Sequence, residues 1–361
     1  MTAPVRIGVD ARELLGATTG VGRYLGELLW RWAARPDATE RRLILYSPGP
    51  VPFIADSVER RELSGKAGTW WEQTALRRAV REDSLNVFFA PAYTAPLGLS
   101  VPLAVTIHDI SFVAHPEWFR PREGLRRRLL TRRTAANAAV VFTDSEFSRS
   151  EIEQHLNVDP RRIHVIPPAV TPRTPRHPNR REPLVLFVGS LFNRRRLPDL
   201  IAAFADATAD LPHARLAIVG DDRTWPRQDL VNIAREHGVY LKTQFHRYVT
   251  DDVLADLYSR ASVFAFLSEY EGFGLTPLEA LSAGVPPVVL DTAVAREVYG
   301  NAAIFVERGD INATARALRQ LLTDPASAAP VLQAAPAVLD RYSWDKAAEE
   351  TLAHIERIAR R

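Results

Sequence analysis

Glu271 and Glu279 stand with seven residues between them in SEYEGFGLTPLE, residues 268–279, and Gly272 and Gly274 lie in that interval. Glycines there let the backbone turn its N–H groups toward a ligand, and a helix starting just after them adds partial positive charge at the same place. A diphosphate is the ligand such a loop suits. The flanking runs Val263 to Leu267 and Val285 to Leu290 have the length and β-branched content of buried strands. Between them the sequence predicts one short helix, with Thr276 as N-cap, Pro277 at the first helical position and Gly284 as a left-handed stop. The same spacing supports a second reading. Thr276-x-x-Glu279 spells a capping box, in which Glu279 would bond its own helix end, and Glu271 could be an ordinary loop carboxylate.

Other candidates follow strands as well. The stretch Gly16 to Tyr24 contains Gly20 and Gly22 after the short apolar run Arg6 to Val9, and a tight turn explains it as readily as a ligand does. His108-Asp109 follows Leu103 to Ile107. A lone histidine at such a point is commonly a structural hydrogen-bonder, and no partner with metal-ligand spacing is near it. The chain also lacks the Asp-x-Asp with which metal-dependent transferases hold a nucleotide diphosphate.

The segment EYEGFGLTPLEALSAGVPPVV closely resembles the Glu-x7-Glu signature of retaining glycosyltransferases of family 4, a GT-B family that uses nucleotide-activated sugars. The resemblance extends over nearly the whole chain. RIGVDARELLGATTGVGRYLGELL resembles the family's first strand, glycine loop and helix, and FTDSEFSRSEI a strand and helix start late in its first domain. VTIHDISFVAHPEWF is similar to the histidine-aspartate segment of the mannosyltransferase-like branch, and FVGSLFNRRRLPDLIAAF to the strand and loop carrying the diphosphate-binding Arg and Lys. Two positions depart from the pattern: Arg195 stands where Lys is usual, and Arg247 in HRYVTDD where Gly is more frequent.

The resemblance implies roles by position. Arg194 and Arg195, with Ser190 in the same loop and the segment Gly272, Phe273, Gly274, Leu275 and Thr276, would hold the diphosphate. Glu271 would bind hydroxyls of the donor sugar, Glu279 those of the ribose, and Arg247 and Tyr248 would lie near the base. His108 would contact the donor sugar across the cleft by side chain or carbonyl, with Asp109 orienting its loop. Gly20 and Gly22 would approach the diphosphate or the acceptor, with Thr18, Thr19, Arg23 and Tyr24 beside them. His108, Glu271, Arg194 and Arg195 are thus the expected catalytic group. The expected reaction moves a hexose, mannose from GDP-mannose first among the choices, to a glycan or lipid-linked acceptor. It retains anomeric configuration and needs neither cofactor nor metal. UDP-glucose or UDP-GlcNAc as donor, an epimerase or hydrolase, and a non-catalytic nucleotide-sugar binder are the alternatives, and a double displacement on another carboxylate stays open.

Composition fits an enzyme of two α/β domains. The chain has 361 residues, 46% hydrophobic and 25% charged, enough for two cores. It has no cysteine, which excludes disulfides and cysteine chemistry. No run approaches the ~18 apolar residues of a membrane span, and the N-terminus lacks an apolar signal core, so a cytoplasmic location is expected. Net charge is +3. The densest basic cluster runs from Arg120 to Arg133, where helical spacing predicts leucines inward and arginines outward. Such a face is commonly just solvated; the alternative is peripheral contact with anionic lipid headgroups or a lipid-linked phosphate. Nucleic acid is not expected, because no stacking aromatics interleave the arginines.

Strands are predicted at Arg6 to Val9, Leu43 to Tyr46, Val87 to Phe89, Leu103 to Ile107, Ala139 to Thr143 and His164 to Ile166, then at Leu184 to Val188, Arg215 to Val219 and the two runs above. Alternation with helical patterns implies parallel sheets, here two Rossmann-like domains facing a cleft, with ligands at the carboxyl ends of the strands. The expected domains are 1–170 for the acceptor and 184–343 for the donor, joined by a Pro- and Arg-rich linker at 171–183. A terminal helix at about 344–361 is apolar at Ala348, Leu352, Ile355 and Ile358, and the resemblance implies that it returns to the first domain. Trp70, Trp71, Trp118 and Phe119 receive no role.

Overall fold

The computed structural model describes residues 4–16, 19–171 and 181–360. Most of the expected linker, residues 172–180, and Thr18 lie outside them. The chain divides into two compact units, Met1–Ala114 with Pro121–Pro168 and Ser343–Arg361, and His115–Arg120 with Ala169–Tyr342.

The first unit is built on a parallel sheet of seven strands: β1 Val5–Asp10, β2 Arg41–Ser47, β3 Val58–Glu62, β4 Val87–Ala90, β5 Leu103–Thr106, β6 Val140–Thr143 and β7 Ile163–Val165. Their order is 3-2-1-4-5-6-7, so the winding reverses between β1 and β4. The second unit repeats this plan with β8 Glu182–Val188, β9 Arg215–Val219, β10 Thr243–His246, β11 Ala261–Phe266, β12 Pro287–Leu290 and β13 Ile304–Val306. Its order is 10-9-8-11-12-13, with the reversal between β8 and β11. Ligands of doubly wound sheets bind outside the carboxyl ends at such reversals. The loops after β1, β4, β8 and β11 are therefore the informative ones.

Central strands are buried along their whole length, as VFFA in β4 and VVFT in β6 show. Three edge strands carry little apolar sequence. β3 is VERRE, β10 is TQFH and β13 is only IFV. These are the strands that apolar runs fail to predict, and charge on β3 protects its open edge.

In the first unit, the helix Gly20–Ala34 presents Tyr24, Leu25, Leu28, Leu29 and Trp32 to the core. The last helix, Trp344–Ala359, buries Ala348, Leu352, Ile355 and Ile358 in the same unit. Trp32 Nε1 donates to the Ala348 carbonyl at 2.8 Å, and Arg31 pairs with Asp345 at 2.6 Å. Each large apolar side chain so covered contributes roughly 1.5–3 kcal/mol.

The helix Pro121–Asn137 departs from the expected orientation. Its buried positions are Gly124, Thr131, Thr134 and Ala135, while Leu125 is 52% and Leu129 43% exposed. Small residues form the inward stripe, and Thr134 Oγ1 accepts from the Ala95 amide at 3.2 Å. Leucines therefore share the outer surface with arginines. Among the described residues, no helix is long and apolar enough to cross a membrane.

Candidate active site

Both loops at the reversal of the second sheet carry expected donor-binding residues. After β8 the chain turns through Gly189 at φ +143°, and a Cβ there would lie 2.1 Å from Arg195 Nη1. Glycine thus makes room for the guanidinium. Arg195 donates from Nη1 to the Ser190 carbonyl at 2.9 Å and from Nε to Glu271 Oε1 at 3.1 Å. Ser268 Oγ donates to the same carboxylate oxygen at 2.8 Å.

Arg194 is buried, donates from Nε to the Tyr270 carbonyl at 3.1 Å and lies 4.3 Å over the Phe192 ring. Among the described residues no carboxylate forms an ion pair with it. A buried cation without a counterion is costly, so the site is set up for an anion. Arg194, Arg195, Ser190 and Glu271 are brought together. Arg196 next to them turns to Glu269 at 2.6 Å.

The helix after β11 begins at Leu275. Gly274 precedes it at φ 90°, its carbonyl accepts from the Tyr299 hydroxyl at 2.9 Å, and no side chain caps the start. The expectation of Thr276 as N-cap is overturned, because the left-handed turn at Gly274 starts the helix two residues early and puts Thr276 and Pro277 inside its first turn. The capping box fails with it. Glu279 is buried, and its Oε2 accepts from the Tyr258 hydroxyl at 3.1 Å. At the other end Gly284 takes φ +72°, and its amide and that of Val285 bond the carbonyls of Leu281 and Ala280, a left-handed stop as the sequence predicts. Gly272, Phe273 and Gly274 complete the loop. Amides of the uncapped first turn, Leu275 and Thr276, are not consumed by a capping side chain, which is the arrangement an anion uses.

Arg247 and Tyr248 are not part of this group. They follow edge strand β10, both are exposed, and Arg247 pairs with Asp221 at 2.8 Å.

In the first unit, Gly20 and Gly22 start the helix after β1. Thr19 Oγ1 accepts from the Gly22 amide at 3.0 Å, and a Cβ on Gly22 would meet the Glu13 carbonyl at 2.4 Å. His108 lies beyond β5 with Nδ1 2.8 Å from Asp144 Oδ2 and Nε2 3.0 Å from the Pro91 carbonyl. The Pro91 carbonyl can only accept, so Nε2 donates, and an ionised Asp144 accepts from Nδ1, an arrangement that favours the imidazolium. Burial opposes that charge, but Asp144 and the Pro91 carbonyl outweigh it and raise the His108 pKa above the ordinary value. Asp109 accepts at Oδ1 from the Ser111 amide and hydroxyl, at 2.8 and 2.7 Å, which fixes the turn after His108.

Several partners carried no signal strong enough to find them. Asp144 follows the neighbouring strand β6, Tyr258 sits on the helix Asp251–Arg260, and Ser268 precedes the glycine loop. Beyond β1, Arg12 joins Asp10 at 2.6 Å and the buried Glu72 at 2.5 Å. Its only trace in the sequence is a charged pair directly after an apolar strand.

Residues 18–174 match the model for Glycosyltransferase Family 4, and residues 173–337 that for Glycosyl transferases group 1. Sucrose-phosphate synthase from Thermosynechococcus elongatus superposes with a TM-score of 0.78 at 18% identity, covering 99% of this chain and 98% of that one. The chain is a GT-B glycosyltransferase. It transfers a sugar from a nucleotide sugar. The glycosyltransferase is 25% identical to O-antigen chain mannosyltransferase B of Escherichia coli, across 92% of this chain and 95% of the relative. The Anabaena protein HepE, solved in complex with UDP-glucose, has the same fold, with a TM-score of 0.74 at 16% identity and coverage of 98% and 99%.

Proposed function

We propose that this glycosyltransferase moves mannose from GDP-mannose to a glycan or lipid-linked acceptor, with retention and without a metal. The observation that carries the donor site is the pairing of Arg195 with Glu271 beside the buried, uncompensated Arg194 at a sheet reversal. Breaking the glycosyl-phosphate bond builds negative charge on the diphosphate, and fixed donors around it are the largest catalytic effect available. Arg194, Arg195 and the first amides of the helix Leu275–Ser282 supply that charge stabilisation. Glu271, held by Ser268 and Arg195, orients the donor sugar, and Glu279 takes the ribose hydroxyls. The acceptor hydroxyl enters on the leaving-group face and gives its proton to a phosphate oxygen. His108 serves the donor sugar as a fixed positive charge or through its carbonyl, because Asp144 and Pro91 already hold its ring nitrogens. Mannose is favoured by the similarity to the O-antigen mannosyltransferase along almost the entire chain. UDP-glucose is the competing donor, since the protein HepE was solved with it.

The cytoplasmic face of a membrane is the proposed working place. Leu125 and Leu129 standing exposed among arginines support peripheral contact with anionic lipid.

The test is a thermal-shift titration with GDP, UDP, GDP-mannose and UDP-glucose in EDTA. A ligand at a hundredfold excess over its dissociation constant stabilises the folded state by about 2.7 kcal/mol. We expect GDP and GDP-mannose to do so. A response confined to UDP and UDP-glucose would overturn the choice of donor, and silence toward all four would sink the site.

A further inference from the structure

A second basic site lies in the first unit, at the amino ends of β6 and β7, opposite the sheet edge that carries His108. A cavity of about 430 Å³ there is lined by Asp159, Arg161, Arg162, His164, His354 and Arg357. His164 comes from β7, and His354 and Arg357 from the helix Trp344–Ala359. The two imidazole rings stand 3.8 Å apart between centroids at 36°, and the edge of Phe142 backs His354 at 6.0 Å. Among the described residues neither imidazole has a hydrogen-bond partner.

The charges around the pair do not cancel. Asp159 is neutralised by Arg161 at 2.7 Å, and Arg149, on the neighbouring helix Glu146–Leu156, by Glu153 at 2.8 Å and Glu146 at 3.5 Å. The Arg162 guanidinium donates from Nη1 to the carbonyls of Ala136 and Ala138, at 3.2 and 2.8 Å, and among the described residues it forms no ion pair. Among the described residues Arg357 has no carboxylate partner. Among the described residues, three guanidinium groups and two imidazoles thus line one cavity against a single carboxylate, Asp159, which Arg161 holds. Burial, with Arg357 and Arg149, lowers the His164 pKa, and burial, with His164 and Arg357, brings His354 down to about 4.

We propose that this cavity binds a dianionic phosphate group, held by Arg162 and Arg357 and by imidazoles that take up protons as it binds. Arginine forks match tetrahedral oxyanions. An entering dianion would replace the repulsion between the cations with attraction, so by linkage protons and anion bind together. A phosphorylated soluble molecule and a phosphate headgroup of a lipid present the same chemistry here.

The experiment is isothermal calorimetry on the full chain with sulfate, a dianion that does not itself titrate, between about pH 5.5 and about pH 7.5. Two buffers of different ionisation enthalpy count the protons taken up. Wild type should bind more tightly as pH falls, with proton uptake. Arg357→Gln should weaken binding about tenfold or more, the loss of one charge-assisted hydrogen bond. His354→Gln should remove most of the pH dependence, and GDP or UDP binding should be unchanged in both variants. Arg357 is exposed, so its variant leaves the core intact. The difference between wild type and Arg357→Gln separates this site from anions held at Arg194. Cosedimentation with phosphatidylcholine vesicles containing phosphatidic acid distinguishes the sources. If Arg357→Gln abolishes it, the ligand is the lipid phosphate; if sulfate affinity falls while sedimentation stays, it is a soluble phosphate. Sulfate binding equal in wild type and both variants, or free of proton uptake, overturns the proposal.

Discussion

His108 shows how a residue's environment sets its part in the chemistry. With Asp144 on one ring nitrogen and a carbonyl on the other, its folded pKa lies above the unfolded one. The pairing therefore contributes stability in full below the unfolded value of about 6.5, and that contribution disappears as pH rises through the folded pKa. Thermal unfolding of wild type minus His108→Gln, measured against pH, should show a difference that shrinks in that alkaline direction. A flat difference would mean that the ring is neutral in the fold. At Gly189 the expectation is steric. Gly189→Ala would put a Cβ where Arg195 Nη1 lies, and at φ +143° the backbone itself resists a side chain. Nucleoside-diphosphate affinity should fall about tenfold or more as the Arg195 hydrogen bonds are lost, with nucleoside affinity little changed. Equal losses for both ligands in equilibrium titrations would show that Arg195 does not face the diphosphate. Glu271 and Glu279 stand out because residue type and spacing mark them within one segment, whereas Arg194 is marked only by the resemblance of FVGSLFNRRRLPDLIAAF. Asp144, Ser268 and Tyr258 carry no such mark, since their roles depend on which strand or helix becomes a neighbour. Thr276 misled because its spacing to Glu279 fits a cap, while the conformation of Gly274, which starts the helix earlier, leaves no trace in the spacing.

Among the elements, the central strands were readable as apolar runs and three of the edges were not. β3, β10 and β13 are held by pairing on one side, so their sequences need no continuous apolar face. The helix Pro121–Asn137 was readable as a helix but not in its rotation. Its inward stripe is made of Gly124, Thr131, Thr134 and Ala135, which hydropathy alone does not mark as a core face. The helix Trp344–Ala359 is the opposite case, with a regular apolar stripe that is the buried one. Ile355 is fully buried there, and Ile355→Ala should destabilise the first unit by about 2–5 kcal/mol, as large-to-small core changes do. Chemical denaturation measures it, and a loss below about 0.5 kcal/mol, the range of surface substitutions, would mean that the helix end is frayed in solution.

At the scale of the molecule, the two doubly wound sheets follow from alternation of strand and helix, which is why the fold class was readable before any coordinates. The division of the chain was less direct, because one unit is not continuous in sequence. Residues Met1–Ala114 and Pro121–Pro168 are completed by Ser343–Arg361, and Trp32 reaches the last helix through the Ala348 carbonyl. This discontinuity imposes an order on biosynthesis. The ribosome releases most of the first unit early, yet the helix that covers Tyr24 and Trp32 emerges only after the whole of Ala169–Tyr342 has been made. Except for His115–Arg120, the second unit is one uninterrupted stretch, so it can close while the first still waits. Nascent chains stalled before residue 343 should be cut readily by protease within the first 168 residues and resist it in the second unit. The first unit, though translated first, is the last to become a finished domain.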